Sequence, residues 1–188
     1  PWDRYPHIFD AYRGAPPARQ ALTQLRKKGL RDFGASLAPE AAHTLALGAE
    51  TLALRLDRAC GNAAALAALL QAHPAVQRVY HPSLLDHPQH DRAAKLFRHP
   101  GALLSFELDP REDLFAFCNR LTLAVNSTNL GDNRTLIIPV AHTIYFEMGV
   151  ERRAAMGISE GLLRVSVGIE DPGDLLEDFA ASLAALKF

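Results

Sequence analysis

A chain of 188 residues with 48% hydrophobic content can bury one sizeable core. Its formal charge of -1, from 20 basic and 21 acidic side chains, sets up no net field toward nucleic acid or anionic lipid, so neither partner is expected. No apolar run reaches membrane-spanning length and the N-terminus lacks the charged and apolar regions of a secretion signal, which predicts a soluble cytoplasmic protein.

Residues 1–17 carry two aromatic-proline pairs and no sustained period, and read as a linker or arm that needs another surface to pack on. Because the chain opens in this stretch without an initiator methionine, a processed or truncated product is expected. Residues 18–33 have helical composition, with the basic run Arg26-Lys27-Lys28 before Gly29 read as a solvated face.

The longest regular segment, 39–71, is rich in alanine and leucine, with Pro39 suited to a first turn and Glu40 to the positive helix end. Its spacing predicts one long helix, or two abutting helices with a bend near Gly48 or Gly61, and places Leu45, Leu52, Leu56 and Ala59 on one stripe. Short strands and helices then alternate. Strands are predicted at 76–80, 102–108, 123–126, 135–138 and 162–169, and helices at 87–97, 111–121, 151–156 and 172–186. Asp171-Pro172-Gly173-Asp174 opens the last helix with a capping aspartate and proline in the first position. Elements of this length form a sheet covered by helices, an α/β sandwich whose strand directions periodicity leaves open.

Cys60 and Cys118 lie far apart in helical segments without metal-ligand spacing, and are expected to be reduced, buried small hydrophobes. His81, His87 and His90 are interrupted by Pro82 and Pro88 and have no carboxylate cluster beside them, so a strand end and a helix start account for them better than a metal site does. No metal is expected.

In the 162–169 strand, alternation sends Leu163, Val165 and Val167 to one face and Arg164 with Ser166 to the other. A mid-strand guanidinium presents a planar fork that fits a carboxylate. It either holds an anionic ligand or pairs with an acid on a helix, and both readings stay open at this level. The turn Asn129-Leu130-Gly131-Asp132-Asn133-Arg134 is likewise either a ligand-holding loop at a sheet end or an ordinary connection.

Several blocks together resemble one family. Gly29-Leu30-Arg31-Asp32-Phe33-Gly34 runs on to Pro39, Gly48-Ala49-Glu50-Thr51-Leu52 runs on to Arg58, and Gly157-Ile158-Ser159-Glu160-Gly161-Leu162-Leu163-Arg164 runs on to Asp171. These stretches, in this order and spacing and with His73-Pro74, Tyr80-His81-Pro82 and His87-Pro88 between them, resemble the C-terminal region of the cystathionine γ-synthase-like enzymes of cysteine and methionine metabolism, which use pyridoxal phosphate. The resemblance implies the smaller C-terminal domain of the type I fold of such enzymes, α/β (α+β), with a mostly antiparallel sheet, helices on one face and a long helix before it. It implies a division into 1–38, an arm and helix at the junction with a larger domain, and 39–188, the substrate-carboxylate-binding domain.

By the same resemblance, Arg164 binds the substrate α-carboxylate. Asn129 stands where relatives carry a serine or its equivalent at the active site. Thr143 is retained from a His-Pro-Ala-Ser-x-Thr-His stretch that here reads Ile138-Pro139-Val140-Ala141-His142-Thr143-Ile144. Arg31 and Asp32 match a pair near the active site of a neighbouring subunit, so a homo-oligomer is implied, with an amino acid such as a homoserine ester or cystathionine as substrate. Ala59 replaces a histidine common after the Arg-x-x-Arg of the long helix, which points to a divergent branch. The lysines are Lys27, Lys28, Lys95 and Lys187, none in the Ser-x-Thr-Lys context of the family's Schiff-base residue. The cofactor lysine is therefore expected upstream, and the 188 residues alone are expected to be inactive. A different class stays open: a free-standing α/β module that binds a small anion through Arg164, or dimerises, without catalysis.

Overall fold

The computed structural model describes Gly14 and residues 16–186, apart from the side chains of Lys28 and Asp32. The arm read into 1–17 falls almost entirely outside the described residues, as does Lys187. The chain divides into two compact units, Pro1–Glu50 and Thr51–Phe188.

In the first unit, α1 (Pro17–Gln24) starts on proline and runs into a π-helical stretch, Leu25–Leu30, and a last short turn, α2 (Arg31–Phe33). The expected continuous helix is therefore widened midway, around Gly29, the residue that gives least support to α-helical geometry there. Gly34 ends it at φ 64°, the left-handed conformation favoured just past a helix end. After it comes α3 (Pro39–Glu50).

The second unit opens with the 21-residue α4 (Leu52–Ala72). The expected 39–71 helix is thus two helices that meet at Thr51, where φ −98° and ψ 0° leave helical space. Of the predicted stripe, Ala59 is buried and continues as Ala63, Leu66, Ala67 and Leu70, whereas Leu45, Leu52 and Leu56 stay exposed. The buried stripe begins only where α4 lies against the sheet and the last helix.

Next come β1 (Val76–Tyr80), α5 (His90–Leu96), β2 (Leu103–Leu108), α6 (Leu114–Arg120), β3 (Val125–Asn126) and β4 (Leu136–Pro139). Two single 3-10 turns, Val140–His142 and Phe146–Met148, lead to α7 (Val150–Ala155), β5 (Leu162–Ser166) and α8 (Pro172–Ala184). Helix α5 starts three residues later than predicted because the His87 imidazole accepts the Gln89 N–H and His90 N–H goes to the His87 carbonyl, which makes that stretch a turn. Helix α6 is capped by Asp113, which accepts from Ala116 N at 2.9 Å, and α8 by Asp171, which accepts from Gly173 N at 2.8 Å.

The sheet order is β1-β2-β5-β4-β3, antiparallel throughout except for the parallel β3–β4 pair. Helices α4, α6 and α8 cover one face. There Leu163, Val165, Leu104, Phe106 and Ile137 meet Leu66, Leu70, Phe117 and Phe179, with Phe117 edge-on to both Phe106 and Phe179. Full burial of side chains of this size stabilises by about 1.5–3 kcal/mol each.

Register decides what the other face presents. Tyr80, Ser105, Arg164 and Ile138 are successive cross-strand partners and form one row; Leu103, Ser166 and Leu136 form the next. Arg164 therefore points away from α4, α6 and α8, at the centre of the sheet. The ladder of β5 stops at Ser166, short of the predicted 169; Val167 N still donates to the Ala102 carbonyl, but side chains meet the groups at Gly168. Thr135 Oγ1 accepts from Gly168 N at 2.9 Å, and Asn62 Nδ2 donates to the carbonyls of Gly168 and Glu170.

Candidate substrate-carboxylate site

The connection between β3 and β4 lies over the face that carries Arg164, and two β5 side chains hold it there. Arg164 Nη2 donates to the carbonyls of Thr128 at 2.8 Å and Asn129 at 3.2 Å, while Ser166 Oγ accepts from Gly131 N at 2.9 Å. Gly131 has φ 79°, and this conformation, which β-carbon-bearing residues rarely adopt, lets its amide turn down toward the strand. Asn126, Ser127, Thr128, Ile138, Pro139 and Thr143 border a cavity of about 390 Å³ beside this loop. Arg164 is bonded to the Thr128 carbonyl and paired in register with Ile138, two of the residues on the cavity's border.

Among the described residues, the partners of the Arg164 guanidinium are backbone carbonyls. Among the described residues no carboxylate lies within ion-pair distance of it. Its Nε is buried with no partner among the described residues. Of the two readings of a mid-strand arginine, pairing with an acid of α4, α6 or α8 is not what the geometry gives, because those helices lie on the opposite face. Buried donors on a charged group demand an acceptor, and a carboxylate oxygen supplies the strongest one. The loop's own charges are matched internally. Asp132 accepts from Arg134 N, Nε and Nη2, and the Arg134 side chain holds the Asp132 carboxyl below its usual range.

The other sequence-derived positions fall as follows. Asn129 contributes its carbonyl to Arg164 and its N–H to Ser127 Oγ at 3.2 Å, while its side chain is exposed. Thr143 borders the cavity, but its hydroxyl donates to the Pro139 carbonyl at 2.7 Å, so toward a ligand it can only accept. Arg164, Asn129 and Thr143 are thus brought to one place. Arg31 and Asp32 belong to α2 in the first unit and are positions on that helix only.

The three histidines do structural work. His81 is fully buried, with Nδ1 at 2.7 Å from Ser83 Oγ and Nε2 at 3.1 Å from the Gly101 carbonyl, and burial holds its pKa below the usual imidazole value. His90 Nδ1 lies 2.9 Å from the Pro82 carbonyl. Among the described residues, no three His, Cys, Asp or Glu side chains gather as a metal would need.

Several residues around the site have roles that sequence reasoning had not assigned. Glu170 bonds both Thr135 N and Thr135 Oγ1, Asn62 bridges to the same turn, and Arg153 is a buried cation beside the approach to β5. The one available signal was alternation, which had put Ser166 on Arg164's face.

A cofactor held through a lysine needs that amine at the end of a cleft. Lys95 is exposed at the end of α5 and borders none of the described cavities of the second unit, and Lys27 is exposed in the first unit. Among the described residues of the second unit, no lysine stands at such a cleft.

Residues 15–184 match the family described as Cys/Met metabolism PLP-dependent enzyme. An L-methionine gamma-lyase of Pseudomonas deceptionensis is 40% identical over 182 residues, which are 94% of this chain and 45% of that protein. An O-acetyl-L-homoserine sulfhydrylase of Thermus thermophilus is 38% identical over 98% of this chain and 47% of its own length. Among solved structures, an O-acetylhomoserine sulfhydrylase of Wolinella succinogenes superposes with a TM-score of 0.80 at 37% identity, over 97% of this chain and 49% of that one. A cystathionine gamma synthase of Xanthomonas oryzae pv. oryzae, solved with cystathionine, gives a TM-score of 0.73 at 40% identity over 81% of this chain and 40% of that one. The chain spans less than half the length of the curated relatives it matches. With the mixed sheet, the helix-covered face and the three sequence blocks all in place, the chain belongs to the Cys/Met metabolism PLP-dependent enzyme family.

Proposed function

We propose that this chain supplies the substrate α-carboxylate site of a pyridoxal-phosphate-dependent enzyme of sulfur amino-acid metabolism, with Arg164 as the carboxylate-binding group. The whole enzyme makes or breaks a carbon–sulfur bond, by γ-replacement or elimination, on a homoserine ester, cystathionine or a related amino acid. Residues 39–188 form the carboxylate-binding portion and 1–38 the junction with the rest. Asn129 and Thr143 shape the rim of the site, and Arg31 with Asp32 serve the active site of a neighbouring subunit in a homo-oligomer. Two buried, unpaired thiols suit a reducing, cytoplasmic setting.

The observation that carries this reading is the uncompensated guanidinium. Arg164 stands beside a cavity with carbonyls as its described partners and a buried Nε that has none. The cofactor supplies the electron sink when bound. The part played by these residues is to hold the substrate carboxylate and so set where the reacting carbon sits, an orientational contribution to rate. The lysine that holds the cofactor comes from residues other than these 188, so the isolated chain turns over no substrate.

Arg164→Ala in the full-length gene product removes a charge-assisted bond of about 1.5–3 kcal/mol, equivalent to a fall in kcat/KM of about ten- to 150-fold. Assays against a panel of homoserine esters, cystathionine and methionine measure it. An unchanged kcat/KM rejects the assignment. The same panel run on the 188 residues alone tests the predicted inactivity, and turnover there would reject that part.

A further inference from the structure

Arg153 is buried among the described residues, with 6% of its side chain exposed, yet it lies outside the carboxylate site. A buried guanidinium is costly unless partners meet most of its donors, and of those of Arg153 only Nε lacks one among the described residues. Here Nη2 donates to Glu160 Oε1 at 2.7 Å, and Nη1 donates to the carbonyls of Phe146 at 3.2 Å and Tyr145 at 3.5 Å. Glu160 is gripped from its other side by His142, whose Nε2 lies 3.1 Å from the Glu160 carbonyl and 3.4 Å from Oε2.

These partners sit on two segments that both lead to the site. Tyr145 and Phe146 follow Thr143, on the cavity rim. Glu160 precedes Gly161, whose carbonyl accepts from Leu108 N at 3.1 Å and whose Cα lies so near Leu108 that a β-carbon would stand 2.6 Å from its carbonyl oxygen. Glu160 and Gly161 thus mark the point at which β5 joins β2 and takes the register that pairs Arg164 with Ser105. A slip of one residue there would turn Arg164 onto the hydrophobic face.

We propose that Arg153 is a positioning residue for the carboxylate clamp: through Glu160 and His142 it sets the start of β5, and through the Tyr145 and Phe146 carbonyls it holds the Thr143 segment against it. This rests on the reading of Arg164 as the carboxylate-binding group. Arg153 itself touches no substrate. Lysine in its place keeps a point charge for Glu160 but has no planar fork to span to the two carbonyls.

The test uses the full-length enzyme with Arg153→Lys, Arg153→Met and Glu160→Gln, and compares two competitive inhibitors, a substrate-like amino acid and its α-carboxamide. Thermal unfolding of each variant is followed in parallel. The expected result is about tenfold weaker binding of the carboxylate ligand by Arg153→Lys, about a hundredfold by Arg153→Met, and little change for the carboxamide. A merely structural role moves stability and weakens both ligands alike, and that result overturns the proposal. Should Arg153→Met fail to fold, Arg153→Lys and Glu160→Gln give the same discrimination. Arg164→Ala separates the two levels. If it too treats both ligands alike, the carboxylate reading falls and this proposal with it; if it discriminates while the Arg153 and Glu160 variants do not, the positioning role alone is overturned.

Discussion

Replacing Gly168 with alanine would drive a methyl group into the backbone of the loop that Arg164 and Ser166 hold. An added β-carbon would lie 2.3 Å from the Asn133 carbonyl oxygen, 2.5 Å from the Arg134 carbonyl carbon and 2.7 Å from Glu170 Oε2, whereas ordinary contact begins at 3.4 Å. Two of these atoms are backbone, so the Asn133–Arg134 peptide has to retreat by about an ångström in an interior packed too densely to absorb it. Overpacking of this kind costs about 1–3 kcal/mol. The retreat also stretches the bond from Ile169 N to the Asn133 carbonyl, at 2.8 Å, and the Gly168 N to Thr135 Oγ1 bond, at 2.9 Å. Each bond of this sort is worth about 1 kcal/mol. With both bonds lost the total is about 3–5 kcal/mol, a large share of the roughly 5–15 kcal/mol that holds a domain folded. Urea unfolding at unchanged m-value measures it. Gly61→Ala is the control, because in the middle of α4 nothing lies within 4 Å of the added carbon and the helix should gain about 0.5–1 kcal/mol. Equal midpoints for the two variants would refute the packing argument.

Acid should weaken the fold through His81. Burial first, with a smaller push from His87, lowers its pKa against the opposing Gly101 carbonyl, so the neutral ring is the folded form. The stability this confers is full above the unfolded pKa of about 6.5 and is lost as pH falls toward the lower folded value. His81→Gln should flatten the pH dependence of the melting temperature in that window, and identical slopes would contradict it. The thiols should be inert in the native protein, since burial pushes Cys118 up to about 12 and also raises Cys60, leaving almost no thiolate near neutrality. A thiol reagent at mild pH should titrate both only after denaturant is added, and rapid reaction of the native protein would refute this.

Much of the fold was legible in the chain because its signals are local. Two-residue alternation put Leu163, Val165 and Val167 inside and Arg164 with Ser166 on the other face, and each lies where that period sends it. Asp171-Pro172 announced the last helix because a capping carboxylate and a proline at the first position act within one turn. Boundaries were less legible where a side chain competes with the backbone ladder. The His87 ring shortens α5 at its start, and Asn62 with Thr135 takes up the backbone at Gly168, past the end of β5.

What the sequence by itself determined is the order and kind of the elements and the face on which Arg164 stands, since both follow from chemistry within a few neighbouring residues. Only the tertiary structure decided that no carboxylate among the described residues reaches that guanidinium, that the 127–135 connection lies over it, and that Arg153 joins two segments leading to it. The reason is distance along the chain. The Arg164 and Asn62 bonds join residues about 35 and more than 100 positions apart, and such partners meet only after register and packing have been set, with no trace in any local pattern.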